Sequence, residues 1–134
     1  MNSNIRFELS FKNISQLENK LNFCKFNNIK NINIPCKGLI KRELFNSSIR
    51  FISQNFHEFH VTYHYSLYHQ YSKNKNKSYQ DFLDFIKNSH TERNYEILLV
   101  SGSKKKKNFD SIDVLGYLKK EKNLKVKLGI AYNP

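Results

Sequence analysis

Tyr95-Glu96-Ile97-Leu98-Leu99-Val100, followed by Ser101-Gly102-Ser103 and the lysines Lys104 to Lys107, is the stretch whose reading decides the fold. The apolar run is too short for a helix. It combines large aliphatic and β-branched residues and is bounded by turn residues, which predicts a strand buried on both faces, as in a parallel sheet. Ser-Gly-Ser predicts a tight turn in which Gly102 lets the backbone approach a ligand closely. In α/β folds ligands sit at the carboxyl ends of such strands, and the lysines beyond the turn would attract phosphate there. The plainer alternative is a buried strand that runs into a solvated basic loop. The turn is not a P-loop, because the second glycine and the Gly-Lys-Ser ending are absent, and it lacks the Gly-x-Ser-x-Gly pattern of a nucleophile elbow.

Working outward, strand and helix patterns alternate along the chain. Ile5 to Phe11 reads as a first strand. Ser15 with Glu18 looks like a capping box opening a helix whose apolar positions include Leu17, Leu21, Phe23 or Cys24, and Phe26. Asn27-Asn28 is its stop signal. Ile29 to Pro35 is a second strand, and Leu39 to Gln54 a second helix with a stripe of Ile40, Leu44, Phe45, Ile49 and Ile52. Phe56 to Ser66 is a third strand. Ser78 then caps a third helix with Tyr79, Phe82, Phe85 and Ile86 on one face. After the opening stretch, Phe109 to Lys122 reads as a fourth helix with Ile112, Leu115 and Leu118 inward, and Leu124 to Tyr132 as a fifth strand. Every connection is long enough for a crossover, so the strands should be parallel and the crossovers right-handed. The expected fold is α/β: one domain over residues 1–134, built of parallel βαβ repeats, either a small open sheet or a partial TIM-type (βα) barrel of about five strands.

Composition narrows the function. Residues of apolar type make up 39% of the 134-residue chain and charged ones 25%, which is globular rather than disordered. The net charge of +12 favours polyanionic partners: nucleic acid, anionic lipid or phosphorylated ligands. Cys24 and Cys36 form neither a metal-ligand spacing nor a disulfide framework. The first residues lack the apolar core of a signal peptide and no run is long enough to cross a membrane, so a cytoplasmic protein is expected.

Several short patches, in order, resemble the methylenetetrahydrofolate reductase family of flavin-dependent barrel enzymes. Phe7-Glu8-Leu9 is similar to that family's first-strand Phe-Glu-Phe, and His60-Val61-Thr62 to its third-strand His-Leu-Thr. Leu99-Val100-Ser101-Gly102-Ser103 sits where the family has Leu-Arg-Gly-Asp, and Ala131-Tyr132-Asn133-Pro134 is similar to its fifth-strand Ala-Tyr-Pro-Glu. Ser10-Phe11 stands where the family carries two prolines, Ser103 replaces its acidic residue, and Pro35 stands where a polar residue is expected. The resemblance implies reduction of 5,10-methylenetetrahydrofolate by an NAD(P)H donor through FAD. It implies Glu8 as the general acid that protonates the folate. His60, Thr62, Gly102, Ser103 and Tyr132 are implied at the cofactor. A full barrel takes eight strands, so the chain is expected to be a truncated or divergent member, or one completed by a second chain or another copy. Catalysis by this chain alone is not expected.

Two other constellations offer different readings. His60, Thr62 and His64 should share one face of the third strand, where Glu8 could join the histidines around zinc. The simpler reading is surface and pocket-edge histidines, and no metal is expected. Tyr63, Tyr65, Tyr68 and Tyr71 amid lysines could stack on single-stranded nucleic acid. That would make the chain a non-enzymatic basic α/β module binding nucleic acid or another polyanion.

Overall fold

The computed structural model describes residues 5–35, 42–67, 74–88, 95–100, 111–121 and 126–131. Strand and helix alternate in the order β1 (Arg6–Glu8), α1 (Ile14–Phe26), β2 (Asn31–Ile34), α2 (Arg42–Asn55), β3 (His60–Ser66), α3 (Lys75–Asn88), β4 (Tyr95–Val100), α4 (Ser111–Leu118) and β5 (Lys127–Ile130). The strands form one sheet in the order β1-β2-β3-β4-β5, and every neighbouring pair is parallel. The α/β class and the parallel βαβ repeats expected from the sequence are therefore present. Because spatial order follows chain order, every crossover steps across the sheet in the same direction. Crossovers of one hand then place their helices on one face.

Burial shows that face. Leu9, Ile32, Ile34, Val61, Tyr63, Tyr65, Leu67, Ile97 and Leu99 are buried, and the register puts them on the same side of the pleat. They share one core with Leu17, Leu21 and Cys24 of α1, Phe45, Ile49 and Ile52 of α2, Phe82, Phe85 and Ile86 of α3, and Val114 of α4. Aromatic rings tie the layers together. Phe45 meets Tyr63 edge-on at 5.9 Å and stacks on Phe85 at 5.7 Å, while Tyr65 lies 5.0 Å from Phe82 and 4.9 Å from Phe85.

Local chemistry sets the helix ends. The cap of α1 is Asn13, not Ser15: its side chain accepts from the Gln16 backbone N–H at 2.8 Å, and Gln16 Oε1 accepts from the Lys12 N–H at 3.0 Å. The Asn13–Gln16 pair satisfies two backbone donors and so outcompetes the Ser15–Glu18 pair lying inside the first turn. At the other end Asn28 adopts a φ of 55°. The Asn28 and Ile29 N–H groups donate to the Lys25 and Cys24 carbonyls at 3.1 and 2.9 Å, which is a Schellman stop. Helix α3 begins three residues before Ser78. Asn74 Oδ1 accepts from the Asn76 and Lys77 N–H groups, and Ser78 is buried one turn inside.

Three further expectations are corrected. β4 is not buried on both faces: Ile97 and Leu99 are buried, while Tyr95, Glu96, Leu98 and Val100 are half-buried. The described helices cover one side only. In α1 the inward row is Leu17, Leu21 and Cys24, at spacings of four and three, which leaves Phe23 and Phe26 exposed. In α4 Val114 points inward and Ile112 outward, because Ser111 and Val114 define the packed row.

Candidate functional site

The sheet face turned away from the helices carries the chemistry. The register aligns Glu8, Asn33, Thr62, Glu96 and Lys127 in one row across all five strands. Two residues earlier on the same face stand Arg6, Asn31 and His60, and two residues later His64, Leu98 and Gly129. The amino half of this face is thus charged and hydrogen-bonded. Arg6 Nη1 donates to Thr62 Oγ1 at 2.6 Å and lies 3.4 Å from Asn33 Oδ1. Lys127 Nζ donates to Glu96 Oε1 at 2.9 Å. A cavity of about 220 Å³ opens here, lined by Arg6, His60, Val61, Thr62, Tyr95, Glu96 and Lys127. On the carboxyl half His64 and Ser66 of β3 stand beside an apolar strip in which Leu98 and Val100 of β4 adjoin Gly129 and Ala131, and the Ala131 N–H donates to the Leu99 carbonyl at 2.9 Å.

Among the residues expected at a site, Glu8, His60 and Thr62 share this open face. Glu8 is the last residue of β1 and is exposed, so the burial expected to suit it as an acid is not supplied by the described residues. His60 opens β3 at its amino end, and Thr62 lies next to the cavity as the acceptor for Arg6. Gly102, Ser103 and Tyr132 lie outside the described residues. His64 stands on the same face as His60, but no group of three metal-ligating side chains comes together among the described residues. The tyrosine stacking surface is corrected: Tyr63 and Tyr65 are buried against the helices, where no base can reach them, and Tyr68 and Tyr71 lie outside the described residues.

Sequence reasoning missed Arg6, Asn33, Glu96 and Lys127. Their signal is period-two polarity. Arg6 and Glu8 flank Phe7, Asn31 and Asn33 flank Ile32, and Glu96 precedes Ile97, so polar residues recur on the side opposite the buried aliphatics. In a half-buried parallel sheet such alternation marks the open face.

No helix among the described residues is long and apolar enough to cross a membrane. No protein-family model matches the chain, and neither a curated protein nor a solved structure matches it.

Proposed function

We propose that this chain is a methylenetetrahydrofolate reductase-like protein whose open sheet face is the lumen side of a (βα) barrel. The observation that carries the reading is the sequential order β1 to β5 with all four helices packed on one face. A doubly wound sheet needs helices on both faces, whereas a barrel keeps one face for its interior. As proposed, further strands complete the cylinder, on this polypeptide, on another copy or on a second chain.

The carboxyl half of the open face suits a planar ring system. A Cβ on Gly129 would come within 3.3 Å of Leu98 Cδ1 and 4.0 Å of the Ile97 carbonyl oxygen, so glycine keeps that strip flat. Leu98, Val100 and Gly129 would lie against the flavin ring, and Thr62 and His60 would supply polar contacts. FAD, once bound, supplies hydride transfer between the nicotinamide donor and the folate. Glu8, on the same face, would hold the proton delivered to the folate nitrogen that leaves the one-carbon bridge.

FAD titration of the purified full chain, followed by quenching of flavin fluorescence, tests the reading. Saturable FAD binding is expected, and in the completed barrel Glu8→Gln should keep FAD and lose reduction of methylene-folate by NAD(P)H. A chain that binds no FAD sinks the proposal, and unchanged turnover in Glu8→Gln removes the acid role. A polyanion-binding module is the second reading, favoured by the net charge of +12. It requires a complex whose affinity falls steeply and log-linearly with salt.

A further inference from the structure

We propose that Arg6, His60, Thr62 and Lys127 form a phosphate-binding pocket over the β3–β4 pair, at the amino half of the open face. Arg6 and Lys127 stand on the two outer strands, yet both lean toward the centre. The guanidinium of Arg6 crosses β2 to reach Thr62 on β3, 2.6 Å from its hydroxyl. The ammonium of Lys127 reaches Glu96 on β4 at 2.9 Å. Adjacent strands are about 4.8 Å apart, so two cationic heads carried by strands four places apart come to rest over neighbouring strands. His60 adds an imidazole to the same cavity from the row before Thr62.

Charge and donor capacity point to an oxyanion. The described lining residues include two permanent cations, Arg6 and Lys127, against one carboxylate, Glu96. The guanidinium offers five N–H donors and only Nη1 makes the bonds seen, while the ammonium offers three and makes one. A planar fork beside a point charge matches the oxygens of a phosphate group. The cavity, about 220 Å³, holds one phosphate and a small attached group rather than a strand of nucleic acid. The ligand class is therefore free phosphate or a small phosphomonoester. Arg6 and Lys127, the two cations of the pocket, take no part in the flavin contacts proposed above, which the pocket shares only through His60 and Thr62, so phosphate binding without FAD binding leaves this proposal standing.

The test follows backbone amide NMR shifts of the full chain during titration with inorganic phosphate and, separately, phenyl phosphate, with chloride at matched ionic strength as reference. Saturable shifts at residues 6, 60–62, 96 and 127 are expected with both phosphates and not with chloride. Tighter binding of the ester assigns a phosphorylated small molecule and equal binding assigns free phosphate; either supports the pocket. Lys127→Gln, whose fold the same spectrum checks, should weaken binding about tenfold, as loss of a charged hydrogen bond does. Arg6→Gln should do the same. Shifts that never saturate, shifts equal in chloride, or wild-type affinity in folded Lys127→Gln overturn the proposal.

Discussion

Arg6 Nη1 donates to Thr62 Oγ1 at 2.6 Å, so a side chain of β1 is bonded to β3 across the full width of β2. β1 is only three residues long, and all three are exposed. Among the described residues it pairs with β2, through Arg6, Phe7 and Glu8. The Arg6–Thr62 bond therefore fastens a weakly buried strand to the better buried centre of the sheet. Removing either end, by Arg6→Met or Thr62→Val, should lower stability by about 0.5–1.5 kcal/mol, the net worth of a partly exposed hydrogen bond. The double variant should lose less than the sum, since both remove the same bond. Urea midpoints of the four proteins give the coupling, and strict additivity would show that the bond contributes nothing in solution.

Phe45 and Phe26 are the same residue in opposite settings. Phe45 is 1% exposed and meets both Tyr63 and Phe85, whereas Phe26 is 87% exposed at the end of α1. Phe45→Ala should cost about 3–5 kcal/mol through lost transfer energy and the cavity left between α2 and the sheet. Phe26→Ala should stay within about 0.5 kcal/mol of wild type. Thermal or urea unfolding of the two variants separates them. A large cost at Phe26 would mean that its ring is covered in solution.

Asn28 at φ 55° is the described non-glycine residue in the left-handed region. That conformation costs an L side chain about 1–2 kcal/mol, and asparagine bears it better than most. Asn28→Gly should therefore be neutral or slightly stabilising, because the gain in the folded turn offsets glycine's greater freedom when unfolded. Asn28→Val should destabilise by at least about 1 kcal/mol, since branching at Cβ worsens the same clash. If valine proves harmless, the Schellman stop is not what ends α1.

Much of the architecture was legible because periodicity carried it. Alternating Ile32 and Ile34, the row of Phe45, Ile49 and Ile52, and the cluster of Phe82, Phe85 and Ile86 each fall where the pattern placed them. What failed was competition between neighbours. Asn13 and Ser15 are both acceptable caps, and only the reach of Gln16 back to Lys12 favours the first. Ile112 and Val114 are both apolar, and the row that α4 packs inward, Ser111 and Val114, leaves Ile112 on the other side. The open face was harder still. Arg6 and Lys127 are distant in sequence and look like ordinary surface charges until strand order brings their heads over β3 and β4. Pleat parity identifies the face, but the inward lean of two long side chains is a matter of tertiary geometry.

Lys25 Nζ lies 2.9 Å from Glu58 Oε1, joining α1 to the turn before β3. The hydrogen bond from Lys25 is the largest cause holding the Glu58 carboxyl below the usual glutamate range, with a backbone hydrogen bond next. A carboxyl whose folded pKa is depressed binds protons less readily when folded than when unfolded. Its contribution to stability is present above the unfolded value and disappears as pH falls through the folded one. Both side chains are well exposed, 61% and 36%, so screening limits the pair to about 0.2–1 kcal/mol. Lys25→Met should thus be slightly less stable than wild type at neutral pH, and the gap should close as pH falls through the depressed folded value and Glu58 protonates. Raising salt at neutral pH should narrow it as well. A gap that persists in acid would trace instead to packing of the lysine stem, which methionine replaces imperfectly, and the ion pair would then carry none of the effect.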